Sequence, residues 1–231
     1  MPHSKQHHTA ILVFANSPSV ELRHKSIHKG VHLFDSLTNQ TLSTVAKTSL
    51  PYFHVSEQEQ FGITFGERFT NAIKAIFDKG YEQIITIGND TPQLKVSHIK
   101  EATKQLGANR LVLGPSTDGG FYLMGLHKSQ FEPEAFLQLA WQTSYLSKQL
   151  VHLLKQGSTK IFKLRTLCDI DTQADVKSIL SYTYQFSKKL TKALLEAVGL
   201  PGNKPLSSLQ KVEPLAISIR YNKGSPTAIS F

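Results

Sequence analysis

The chain has 231 residues, 40% of them apolar, a single cysteine and a formal charge of +9. That length and apolar share are enough for one sizeable domain with its own core, and the lone cysteine excludes an internal disulfide and a cysteine-built zinc site. A basic surface suits nucleotides, other phosphorylated substrates, nucleic acid or an anionic membrane. The lysines are scattered, however, and the clusters "FSKKLTK" and "HKSIHK" lack interleaved aromatics, so charge by itself selects no partner and nucleic acid is not expected.

The N-terminal stretch "MPHSKQHHTAILVFANS" holds a short apolar run and no small-residue cleavage pattern. The expectation is a cytoplasmic protein without membrane insertion. His3, His7 and His8 are metal-ligand types, but on a terminus expected to fray they are not expected to form a site. "AILVFA" (Ala10 to Ala15) reads as a central strand covered on both faces. "NSPSVELRH" reads as a loop, and the spacing of Ile27, Val31, Phe34, Leu37, Leu42 and Val45 predicts a helix from Lys25 to about Lys47. "PYFHVS" reads as the second strand, which closes one β-α-β unit.

Farther on, "GERFTNAIKAIFDKG" puts Phe69, Ile73, Ile76 and Phe77 on one helical face, with Gly80 as its stop, and leads into the strand "QIITIG". "VSHIKEATKQLG" and "RLVLGP" repeat the helix and strand pattern. "FYLMGL" reads as another strand, "SYLSKQLVHLLKQG" as a helix capped by Thr143 or Ser144, "KIFKLR" as a further strand, and "CDIDTQADVKSILSYTYQF" as a loop leading into a helix capped by Thr172. Alternating strands and helices predict an α/β fold with a mostly parallel sheet and helices on both faces. After about Ser187 come a helical stretch "KKLTKALLEAVG", a turn-rich "LPGNKP" and the alternating "LAISIRY", which fits an edge strand, a docking arm or a disordered end equally well.

In such sheets ligands gather beyond the carboxyl ends of the strands. Asn16, Ser17, Asn89, Asp90, Ser116 and Asp118 all fall at predicted strand ends. A carboxylate at the end of a buried strand must be solvated, paired or bound to something positive. Asp90, with Asp169 or Asp171 of "CDIDT", offers the oxygen ligands that a magnesium or manganese ion shares with phosphates. By itself Asp90 is explained at least as well as the cap of an Asx-type turn in "NDTP". The "DGG" of "GPSTDGGFYLMGL" fits either a close backbone approach to a ligand or a hairpin turn.

Taken in order, "IITIGNDTPQL", "LVLGPSTDGGFYLMGL", "WQTS" and "DIDTQADV" resemble the DUF2064 family, also described as arsenosugar-biosynthesis glycosyltransferases of the GT-A group of nucleotide-diphosphosugar transferases. The family signature reads approximately G-S-D-x-P-x-L, then G-P-x-x-D-G-G-Y-Y-L-x-G-L, then W-x-T and D-x-D-T, and the likeness runs from about Ala10 to Leu180. The resemblance implies a Rossmann-like three-layer sandwich over residues 1–186, followed by an extension, 187–231, of unknown role.

The resemblance also implies residue roles. Asp90 matches the acid beside metal and diphosphate, Asp171 the second metal ligand, and Asp169 a less certain neighbour. Asp118, Gly119 and Gly120 match the D-G-G turn, whose acid faces sugar or acceptor as a hydroxyl-binding group or general base. Gly66, Glu67 and Arg68 match a family G-E-R, with Arg68 either at a phosphate or in an ion pair. Trp141 matches a position that lines the acceptor pocket or serves as core. After the first strand the family shows F-x-K-x-P-x-x-G-x-x-K-T-R-L, whereas this chain has "FANSPSVELRHKSI". Asn16 therefore stands where lysine is usual, the glycine is missing, and Arg23 and Lys25 are only roughly in register. Asn89 and Thr91 likewise replace small residues, and Phe121 a tyrosine. The implied activity is metal-dependent transfer of a sugar from a nucleotide-diphosphosugar to a small acceptor. A nucleotidyltransferase acting on a phosphorylated metabolite and a non-catalytic binding protein remain the alternatives.

Overall fold

A computed structural model describes residues 8–155 and 160–201. His3, His7 and the "LAISIRY" segment lie outside the described residues. The strands are β1 (Thr9–Phe14), β2 (Tyr52–Val55), β3 (Gln83–Ile87), β4 (Leu111–Pro115), β5 (Phe121–His127) and β6 (Ile161–Lys163). The helices are α1 (Pro18–His24), α2 (Gly30–Ala46), α3 (Phe65–Asp78), α4 (Val96–Gly107), α5 (Pro133–Leu137), α6 (Leu146–Lys155), α7 (Gln173–Ile179) and α8 (Lys188–Ala197).

The six strands form one sheet in the order β2-β1-β3-β5-β4-β6. β5 runs antiparallel to β3 and β4, and the other pairings are parallel. β1 is buried along its whole length, as its unbroken apolar run predicts. Its side chains alternate between the two faces of the sheet. Ala10, Leu12 and Phe14 pack with Phe69, Ile73 and Phe77 of α3, with Phe136 of α5 and with Leu150 of α6. Ile11, Val13 and Ala15 pack with Val45 of α2 and with Ile99, Ala102 and Leu106 of α4. The result is the three-layer α/β sandwich expected.

Two local expectations change. The stretch read as a loop holds α1, opened by Pro18 in its first turn, and none of its residues is buried, so it carries no apolar stripe for periodicity to detect. The helix expected from Lys25 begins only at Gly30, because Lys29 takes the left-handed conformation at φ 50°. A Cβ on Gly30 would lie 2.3 Å from Leu22 Cδ2, so α1 folds back tightly on the start of α2. Past residue 186, α8 lays Leu190 and Leu194 against Leu33, Phe34 and Leu37 of α2 and Val176 and Ile179 of α7, forming a third apolar cluster.

Candidate active site at the strand ends

The antiparallel β5 brings the turn between β4 and β5 to the same edge of the sheet as the end of β3. The segment after β6 then runs beside β4: Leu167 N–H donates to Pro115 O (3.1 Å) and Thr117 N–H to Leu167 O (3.1 Å). Three residues farther on it meets the loop after β3, where Ile170 N–H donates to Asp90 O at 2.9 Å. Three backbone contacts thus place Asp90, Asp118, Asp169 and Asp171 around one cavity of about 490 Å³. Thr172, the cap foreseen from the sequence, accepts from Asp175 N–H and starts α7 immediately behind the last acid.

Asp118, Asp169 and Asp171 each bring a carboxylate oxygen within 4.8 Å of the others. Asp118 is set by its own turn, accepting from Gly120 N–H (2.8 Å) and the Ser116 hydroxyl. Asp169 is only 9% exposed and accepts from the Thr117 hydroxyl at 3.2 Å. Burial first, and then the nearby charges of Asp90, Asp118 and Asp171, push the Asp169 carboxyl up to about 9. Asp171 is also raised, chiefly by burial, against the opposing pull of Lys25.

Lys25 supplies the positive charge nearest these acids. Its Nζ lies 2.8 Å from Asp90 Oδ2, 2.8 Å from Asp171 Oδ1 and 3.5 Å from Glu21 Oε2, and donates to Ile170 O at 3.1 Å. The side chain is 12% exposed. Burial would lower its pKa, but Asp90, Asp171 and Glu21 overcome that and hold the ammonium well above its ordinary value. Asp90, read as the leading metal ligand, therefore faces Lys25, and Asp118 joins Asp169 and Asp171 in the tight trio. Glu21 was not foreseen: it sits in the stretch read as a loop, and only the helical turn of α1 brings it beside Lys25.

The other sequence-read residues divide. Asn16 lines the cavity with its amide committed, donating to Glu21 Oε1 (3.0 Å) and accepting from Gln60 (3.1 Å). Arg68 lines the cavity and donates to Ile63 O at 2.8 Å. Arg23 is exposed and lies outside the cavity lining. Gly120 lines the cavity, whereas Gly119, at φ +97°, packs against the Ser144 backbone. Trp141 also lines it, its indole N–H tied to Phe136 O (2.8 Å) and its ring 5.1 Å from Phe69 and 5.6 Å from Phe65. Glu67 is turned away into a capping box with Thr64 at the start of α3. The cavity thus has an acidic end and an aromatic wall.

A family described as "Uncharacterized protein conserved in bacteria (DUF2064)" matches residues 30–143, a stretch that holds Asp90, the D-G-G turn and Trp141. Over this central stretch the chain is similar to the DUF2064 family. Among solved structures, a candidate nucleotide-diphospho-sugar transferase from Desulfovibrio desulfuricans G20 superposes with a TM-score of 0.73 at 22% identity, covering 82% of this chain and 94% of its own. The homologue of Mycobacterium tuberculosis Rv0371c from Mycobacterium sp. strain JC1 has a TM-score of 0.51 at 14% identity, covering 77% and 98% respectively. No curated protein matches the sequence. At these identities the likeness establishes the fold alone: this chain has the fold of the nucleotide-diphospho-sugar transferases. Among the described residues no helix is long and apolar enough to cross a membrane.

The donor set of this site fits a hard divalent cation. Its ligands are all carboxylates, and oxygens on opposite sides of a magnesium ion stand about 4 Å apart, comparable with the trio's spacing. Burial raises the Asp169 carboxyl most, and the neighbouring charges of Asp90, Asp118 and Asp171 raise it further, a repulsion that a bound cation would relieve.

Proposed function

We propose that this protein transfers a sugar from a nucleotide-diphosphosugar to a small hydroxyl-bearing acceptor, with magnesium or manganese held by Asp169 and Asp171 and with Asp118 beside them as the base. The observation that carries the reading is the convergence of Asp90, Asp118, Asp169 and Asp171, from three separate loops, on one cavity. The cation supplies charge that offsets the departing diphosphate. The chain's own residues do the rest. Asp118, its carboxylate fixed by Gly120 N–H and Ser116, accepts a hydrogen bond from the acceptor hydroxyl and takes its proton as the acceptor oxygen bonds to the sugar's anomeric carbon and the bond from that carbon to the diphosphate, which leaves with its electron pair, breaks. Phe65, Phe69, Phe121 and Trp141 present an apolar wall against which a sugar ring packs and from which water is excluded.

Sugar transfer is favoured over nucleotidyl transfer by the cationic side chains of the cavity. Among the described lining residues the lysines and arginines are Lys25, already paired with acids, and Arg68, few partners for a triphosphate. The test is a panel of nucleotide-diphosphosugars incubated with Mn²⁺, wild type against Asp118→Asn and Asp171→Asn. Release of nucleoside diphosphate that both substitutions abolish supports the proposal. Pyrophosphate released from nucleoside triphosphates, with no diphosphate from any sugar donor, would overturn it in favour of nucleotidyl transfer.

A further inference from the structure

Asp171 is called on twice. It belongs to the oxygen trio that fits a cation, and it is also the partner of the Lys25 ammonium at 2.8 Å. A hard cation sits roughly 2.0 to 2.6 Å from its carboxylate oxygens, so an ion on Asp171 and an ammonium hydrogen-bonded to the same carboxylate would be close neighbours of like charge. In a pocket where Asp169 is 9% exposed and Lys25 12% exposed, little water screens that repulsion. Lys25 has somewhere else to go, because Asp90 at 2.8 Å and Glu21 at 3.5 Å hold it without Asp171. The ammonium also lies 5.4 Å from the centre of the Phe34 ring, and the backbone of Lys25 is anchored by its N–H, which donates to Glu21 O.

We propose that Lys25 is a built-in counter-cation: its ammonium holds Asp171 while no metal is bound, competes with the incoming divalent cation, and withdraws to Asp90 and Glu21 when that cation enters. The proposal rests on the metal site assigned under the proposed function. It explains why the residue that ends α1 is a lysine that is barely exposed and faces acids. An ammonium that closes the acidic end in this way makes metal occupancy weak until something else in the cavity favours it.

The test is Mn²⁺ binding to the whole chain without nucleotide, followed by the loss of the free-ion electron paramagnetic resonance signal. Lys25→Met is expected to bind Mn²⁺ roughly tenfold or more tightly than wild type, whereas Arg68→Met, which removes the same charge elsewhere on the cavity wall, changes affinity by less than about twofold. Asp169→Asn should abolish binding in either background. Wild-type binding with Lys25→Met no tighter overturns the competition and leaves the metal site standing. Failure of both proteins to take up Mn²⁺ removes the metal site and the inference together. A second readout needs no variant: in ¹⁵N spectra of wild type, titration with Mg²⁺ should shift the Lys25 ammonium signal with the same midpoint as Mg²⁺ binding, and a signal unmoved at saturation overturns the proposal.

Discussion

A Cβ built on Gly119 would sit 2.4 Å from the Ser144 carbonyl oxygen, so the D-G-G turn and the entrance to α6 are in direct backbone contact. Ser147 strengthens that contact, its N–H donating to Gly119 O at 3.2 Å. The glycine is required twice, by φ +97° and by the absence of space.

Gly119→Ala should therefore lose about 2–3 kcal/mol or more of stability, because backbone strain adds to a collision with main-chain atoms that cannot rotate away. Gly80→Ala is the control. Gly80 has φ +93° but nothing within 4 Å of its would-be Cβ, so it should lose only the strain, about 1 kcal/mol. Urea titration of the two variants measures both.

Metal removal should be read out through Asp169. The folded carboxyl is raised to about 9, so its contribution to stability is present below the ordinary aspartate range and lost as pH climbs towards 9, because the unfolded chain releases the proton first. In chelator, Asp169→Asn should become more stable than wild type, the gap opening above about pH 4, widening by at most about 1.4 kcal/mol per pH unit and levelling near pH 9. Added Mn²⁺ should raise the Tm of wild type alone. Thermal melts across pH, with and without Mn²⁺, check both statements.

His98 gives a second pH dependence, of opposite slope. Its Nδ1 accepts from Lys95 N–H at 3.2 Å at the start of α4, and burial, then Arg165 and Lys95, lowers its pKa below 6.5. A depressed base contributes stability above its unfolded pKa and loses it as pH falls, because the unfolded chain takes the proton more readily. The Tm of wild type should thus drop more than that of His98→Gln between about pH 7.5 and 5. Equal drops would show that the ring is not held neutral.

Two threonines should behave oppositely. Thr70 is 2% exposed on α3, and its hydroxyl has no hydrogen-bond partner among the described residues. Thr70→Val should be neutral or stabilising by about 1 kcal/mol. The Thr38 hydroxyl donates to Phe34 O and accepts from the buried Asn89 amide at 2.9 Å. Thr38→Val should lose about 1–2 kcal/mol, because it strands that amide beside Asp90. Guanidinium titration separates the two.

Much of the architecture was readable from pattern. An unbroken apolar run marked β1, an apolar stripe with a glycine stop marked α3, and the chain order of "NDTP", "DGG" and "DIDT" placed acids at strand ends. Strand direction was less accessible, since the antiparallel sense of β5 leaves no mark in its apolar run, and "DGG" admitted a hairpin without requiring one. α1 was missed because a short helix with no buried face shows no period. Lys25, read near a phosphate loop, is held by Asp90 and Asp171.

What the amino-acid sequence determined alone is which residues could be charged, apolar or conformationally free, and in what order, because those are properties of single side chains and of local spacing. Which carboxylates share one cavity, and that Asp118 rather than Asp90 completes the tight trio, was decided by the run of residues 164–171 beside β4. Coulomb energy depends on distance through space, and distance between remote positions exists only once the chain has folded.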